Sequence, residues 1–200
     1  MRERLNKNER KDQIKKSAKK IFLEKGFRNT VMDDIMKDTG LSRGGLYHHY
    51  GSTNEILYDI MVDGKSFRED VICKYIKNHK NIITPKVLAE VFVEKMVADN
   101  EYIPLYIMFL CELKDDENLS SLFSELKENS IVYFKKFMTQ LGYESLKYDE
   151  YYFLINLINS SLLGCEILDA RNNFIKNREY MLDMLELYFE EIQIKKLNNI

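Results

Sequence analysis

Two hundred residues, 45% hydrophobic and 31% charged, with two prolines, eight glycines and no tryptophan, describe a soluble chain biased against breaking helices. Cys73, Cys111 and Cys165 are too few and too widely spaced for a disulfide scaffold and fit a reducing compartment. Met1 to Lys20 are charged throughout, and the apolar stretches Tyr102–Cys111 and Phe153–Cys165 are too short, or too interrupted by Asn156 and Asn159, to cross a bilayer. The expected location is cytoplasmic, with no membrane partner.

The net charge of −2 hides a split. Residues 1–50 hold 13 Lys+Arg against 7 Asp+Glu, an excess of six positive charges, whereas residues 51–200 hold 17 against 25. A basic head on an acidic body suggests that the first quarter faces a polyanion. A lysine-rich solvated helix face is the alternative reading of charge alone.

In the head, Ile14, Ala18, Ile21 and Phe22 recur at helical spacing with lysines between them, predicting a first helix that ends before Gly26. Thr30 with Asp33 reads as the cap of a second helix over Val31 to Asp38. Gly40 suits that helix's C-terminus, and Ser42 is placed to cap a third helix over Arg43 to Tyr50, with Leu41 and Leu46 as a hydrophobic staple. Two short helices across a four-residue turn containing glycine make a helix-turn-helix. Ile35, Leu41 and Leu46 read as its core, with Ile21 and Phe22 behind them.

The third helix carries Gly44 and Gly45, each costing close to 1 kcal/mol relative to alanine in a helix interior. Close approach of another surface to that backbone explains them, and a free helix N-terminus favours an anion. Ser42, Arg43, Tyr47, His48, His49 and Tyr50 all donate hydrogen bonds, which suits phosphates and base edges.

The stretch from Thr30 through Leu57, TVMDDIMKDTGLSRGGLYHHYGSTNEIL, resembles the DNA-binding domain of tetracycline-repressor-like (TetR family) transcriptional regulators. The likeness rests on Gly26-Phe27, Thr30, Ile35, the Thr39-Gly40-Leu41-Ser42 turn, Leu46-Tyr47, Tyr50-Gly51-Ser52, Glu55 and Leu57, and covers about residues 8–60. It implies an all-α chain: a three-helix helix-turn-helix DNA-binding domain over residues 1–52, then a larger helical ligand-binding and dimerisation domain over 53–200. It sets Arg43, Gly44, Tyr47 and His48 against the major groove, and Thr30, Ser42, Tyr47 and Tyr50 against the DNA backbone. From the residues themselves, Arg43 is the best candidate for a bidentate contact to guanine and Tyr47 for a phosphate, while His48 suits either. The family usually has lysine after the serine matched by Ser52. Here Thr53 follows, so that phosphate contact is absent or passes to the Ser52 or Thr53 hydroxyl.

Ser52 and Glu55 form a capping pair for a fourth helix, whose apolar face Ile56, Ile60, Met61, Phe67, Val71 and Tyr75 continues to about Asn78. At 1.5 Å per residue this is a rod of about 36 Å, and the resemblance makes it the lever between ligand and operator. Thr84-Pro85 and Pro104 start further helices, and Gly142 ends the one after Asn118. Two terminal helices follow, about Tyr148–Ala170 and Arg178–Lys196. The small residues Ser160, Ser161 and Gly164 on the first, and the stripe Met181, Leu185, Tyr188, Phe189 and Ile192 on the second, resemble the pair that forms the family's homodimer interface. Intramolecular packing is the competing use.

Residues 101–160 hold twelve of the 24 aromatics. By family analogy a pocket for a small-molecule effector of unspecified class falls here, lined by Tyr106, Phe109, Phe137 and Tyr152. An enzyme finds little support: there is no phosphate loop, nucleophile elbow, H-E-x-x-H or Glu-x-x-His pair, so no catalytic residue, metal or cofactor is expected. The expected partner is a palindromic double-stranded operator read by a dimer, with release by the effector. A helical protein-interaction module without DNA binding and a thiol redox sensor are the alternatives.

Overall fold

The computed structural model describes residues 5–78, 83–140 and 147–197, which form α-helices and no strands. The helices are α1 (Lys7–Lys25), α2 (Met32–Thr39), α3 (Arg43–Tyr47), α4 (Thr53–Asn78), α5 (Pro85–Met96), α6 (Ile103–Glu112), α7 (Glu117–Gln140), α8 (Tyr148–Ile167), α9 (Arg171–Lys176) and α10 (Arg178–Leu197). None of them is long and apolar enough to cross a membrane. The predicted stop at Gly142 lies outside the described residues.

Local chemistry sets the boundaries. Asn6 starts α1 with a reciprocal box: its Oδ1 accepts from the Asn8 and Glu9 N–H groups at 2.9 and 3.0 Å, and the Glu9 carboxylate accepts from the Asn6 N–H at 2.7 Å. The cap of α2 differs from expectation. Thr30 donates its hydroxyl back to the Gly26 carbonyl at 2.8 Å, and Asp34, not Asp33, closes the helix start by accepting from the Val31 N–H at 2.9 Å. Gly40 ends α2 at φ 66°, where a side chain would be strained, and its N–H bonds the Met36 carbonyl. Ser42, Ser52 and Thr84 cap as expected, their hydroxyls each accepting an N–H three residues on at 3.2 Å. Glu55 turns to the Gly51 N–H, 2.8 Å away, rather than to Ser52.

The chain forms two compact units. One comprises Met1–Ser66 with Pro104–Ser124, the other Phe67–Ile103 with Glu125–Ile200. In the first, Ile14, Ala18, Phe22, Ile35, Leu46, Ile56, Leu57 and Ile60 are sealed from solvent, while Leu41 is only half-buried. In the second, α5, α8 and α10 share a core of Leu88, Phe92, Val93, Leu154, Leu185 and Phe189, with Phe92 packed on Phe134 and Phe189 at centroid distances of 5.6 and 5.4 Å.

The second core revises the reading of the terminal helices. Met181, Leu185, Phe189 and Ile192 face inward and Tyr188 packs beside them, so this stripe is consumed by the chain itself. Among the described side chains of α10, the apolar ones left exposed are Tyr180, Met184 and Leu187, at i, i+4 and i+7. On α8, Ser161 is buried, and a Cβ added to Gly164 would stand 3.6 Å from the Phe174 ring of α9. The small-residue patch therefore admits the chain's own α9, a helix the sequence reading did not anticipate. Arg171 fixes α9 by donating to the Val97 and Ala98 carbonyls and to Glu166.

Candidate nucleic-acid interface

The helix-turn-helix presents a small exposed face. Ile35 and Leu46 point into the core at 0% exposure, anchoring α2 and α3. Ser42, Arg43, Gly44, Tyr47 and His48 are all exposed. The Arg43 guanidinium lies 5.6 Å from the centroid of the Tyr47 ring, so these two side chains form one cation–π unit.

The two glycines differ. A Cβ at Gly44 would meet nothing within 4 Å, whereas one at Gly45 would sit 3.2 Å from the Ser42 hydroxyl and against Leu41. Gly44 thus leaves open backbone on the exposed face, and Gly45 makes room for the cap and the staple.

Helix α3 stops at Tyr47, three residues before the expected end. The His49 and Tyr50 N–H groups both bond the Leu46 carbonyl, tightening the chain into a turn. That turn exposes His48 and carries Tyr50 inward, where it is only 3% exposed and donates its hydroxyl to Asp59 at 2.5 Å. Burial and this bond hold the Tyr50 phenol well above its usual range. Lys11 donates to the same Asp59 oxygen at 3.1 Å and lies 4.7 Å over the Tyr50 ring. Burial opposes charge on Asp59, but the bonds from Tyr50 and Lys11 prevail and keep its carboxyl below the ordinary range.

Three residues expected at the DNA backbone stand apart from the exposed face. Thr30 is 4% exposed, Tyr50 is committed to Asp59, and Thr53 is half-buried. Thr30 and Thr53 also line a groove with Arg28, Glu112, Asp115 and Asp116. Arg28 is likewise spent internally, on Glu112 at 2.7 Å and on Asp115.

The sequence reading missed the role of α1's first turns. Burial pushes the His49 imidazole down, and His48, Arg10, Lys7 and Lys11 push it further, while Lys11 lies over the Tyr50 ring beside this turn. Their signal was present in the charge excess of the head but was not attached to a face.

The expected effector-pocket residues are divided between the two units. Tyr106 and Phe109 are buried in the first unit, stacked at 6.5 Å, while Tyr152 belongs to the second and receives a hydrogen bond from Lys127. The side chain of Phe137 lies outside the described residues. The second unit instead holds a cleft of about 500 Å³ between the C-terminal half of α4 and α5. Phe67, Val71, Ile72 and Val91 wall it, with Arg68, Glu94, Lys95 and Asp99 among its polar residues.

Residues 14–60 match the sequence model described as bacterial regulatory proteins, tetR family. This N-terminal region is therefore similar to the DNA-binding region of tetR-family regulators. The chain is 39% identical over 59 residues to the HTH-type transcriptional regulator YfiR of Bacillus subtilis, covering 30% of this chain and 29% of that one. It is 30% identical over 99 residues to IcaR of Staphylococcus epidermidis, the negative transcriptional regulator of the biofilm operon icaADBC, covering 48% and 51%. The chain therefore spans between a quarter and about half of the length of these HTH-type relatives. The fold likeness reaches further: Salmonella enterica GusR superposes with a TM-score of 0.63 at 16% identity, over 92% of this chain and 94% of that one.

Proposed function

We propose that this chain is a ligand-responsive repressor of the TetR family that binds a palindromic operator as a homodimer and is released when a small molecule occupies its second unit. The observation that carries the reading is the exposed Ser42, Arg43, Gly44, Tyr47 and His48 face on a helix anchored by buried Leu46. Arg43 and His48 read base edges, Ser42 and Tyr47 hold phosphates, and Gly44 admits the duplex. Thr30, Tyr50 and Thr53 position this face from within. Residues 1–52 serve as the reader and 53–200, which open with α4, as the effector and dimerisation part.

Dimerisation brings two readers onto half-sites one helical repeat apart. The exposed Tyr180, Met184 and Leu187 on α10, with Phe153 on α8, supply the apolar face for it. Repression is supported by IcaR, a negative regulator by name. The effector acts by binding the DNA-incompetent arrangement more tightly than the competent one. A thiol switch at Cys165 is disfavoured because burial pushes that thiol up, away from the reactive thiolate.

The test uses the full chain and an operator selected from a random duplex library, with binding followed by fluorescence anisotropy across a salt series. Tyr47→Ala weakens binding to all duplexes and makes the salt dependence shallower by about one unit of slope. Arg43→Ala relaxes preference at one base pair per half-site, worth about 1–3 kcal/mol. Parent-like binding by both variants would overturn the assignment of the reader, and salt-insensitive binding by the parent would favour a protein-interaction module.

A further inference from the structure

Lys95 is the informative group in the cleft of the second unit. It lines the cleft beside Phe67, Val71, Ile72 and Val91. Its ammonium lies 5.4 Å from the Phe92 ring centroid and 5.3 Å from that of Phe134, over two aromatic faces. Among the described residues no carboxylate comes within ion-pair distance of it. Burial, reinforced by the charge of Arg68, pushes this ammonium down to about 8. Two aromatic faces stabilise a cation only partly, and a desolvated ammonium gains most from a charge-assisted hydrogen bond to an anion.

The acids nearby do not supply that anion. The Glu94 carboxylate accepts from the Arg178 guanidinium at 2.5 Å, and Asp99 is exposed at the rim. Glu69 is close enough to favour the charge on Lys95 but too weak to offset burial. The cleft thus combines apolar walls with an unanswered positive charge, and its volume falls within the range of small-molecule sites.

We infer that the cleft binds an amphipathic monocarboxylate, its apolar tail against Phe67, Val71, Ile72 and Val91 and its carboxylate on Lys95. The inference rests on the reading that the second unit takes a small effector and specifies that effector's chemistry.

The experiment titrates the full chain, without DNA, with decanoate, decanol and decylammonium by isothermal calorimetry. Decanoate is expected to saturate at one site per chain and to bind at least tenfold more tightly than decanol, with decylammonium weakest. Lys95→Met should reduce decanoate affinity by about ten- to a hundredfold, as loss of a hydrogen bond between charged groups does, while leaving decanol binding unchanged. Lys95→Arg, which keeps the charge, should retain the preference for decanoate over decanol. Equal binding of decanoate and decanol, tighter binding of decylammonium, or a Lys95→Met variant that binds decanoate like the parent would each overturn the assignment. Operator release is read separately by anisotropy. Decanoate that binds through Lys95 without releasing DNA upholds the site and refutes the effector mechanism. Release by an uncharged or cationic compound that competes for the cleft upholds the mechanism and refutes the carboxylate.

Discussion

Two lysines, one in each compact unit, meet burial in opposite ways. Lys15 on α1 is 9% exposed and ion-paired to Asp63 at 2.6 Å and to Asp12 at 3.3 Å. Burial pulls its ammonium down, but the bond to Asp63 and the charges of Asp63, Asp12 and Asp59 outweigh that and leave it raised. Lys95 on α5 has two aromatic rings and no carboxylate, and ends lowered. In both places burial opposes the charge. Where the chain supplies the counterion, the charge is a strut that holds α1 to α4 beneath the reading face. Where it does not, the charge is left for something from outside.

Breaking the strut should have the largest effect. Asp63→Ala leaves Lys15 buried with only the exposed Asp12, and should cost about 2–3 kcal/mol, below the full value for a sealed pair because Asp63 is about one-third exposed. Urea denaturation at pH 7 would measure it. A loss under 0.5 kcal/mol would make Lys15 and Lys95 equivalent and remove the contrast.

The opposite sign is expected at Lys95. Lys95→Met removes a charge that folding desolvates, so at pH 7 it should stabilise the chain by about 1–2 kcal/mol, less than the full shift implies because the aromatic contacts are lost with it. With a folded value of about 8 against 10.5 unfolded, both states are protonated below pH 8 and the penalty is fully present. It shrinks as pH rises from 8 to 10.5, so the advantage of the variant should fade over that window. Thermal melts of the two proteins at pH 7 and pH 10 test this, and a constant difference would contradict it.

Legibility in the sequence follows how local the physics is. The helix starts at Ser42, Ser52 and Thr84 were readable because a cap is decided within three residues, and the turn at Gly40 because φ 66° needs glycine. Thr30 misled because a hydroxyl that could cap forward bonded backward to Gly26 instead. The division between Tyr47, exposed, and Tyr50, buried on Asp59, hangs on where a five-residue helix ends, which hydrophobic spacing does not resolve. The inward turn of Met181, Leu185 and Phe189 depends on which face of α10 meets α5 and α8, a choice made between elements far apart in the chain. The cleft was out of reach for the same reason: an unanswered lysine is visible only once all its neighbours are known.

The smallest effect discriminates most finely between structure and reading. Gly44 looks into open space, so Gly44→Ala creates no clash and should leave stability unchanged or raise it by up to about 1 kcal/mol through helix propensity. Gly45→Ala, whose Cβ would press on the Ser42 hydroxyl at 3.2 Å, should instead loosen the cap. If the open backbone at Gly44 exists for a duplex, the added methyl should weaken operator affinity severalfold while the melting temperature holds or rises. A variant that gains stability and loses no affinity would show that the exposed face is not where DNA lies, and would return Gly44 to the status of a tolerated defect in a short helix.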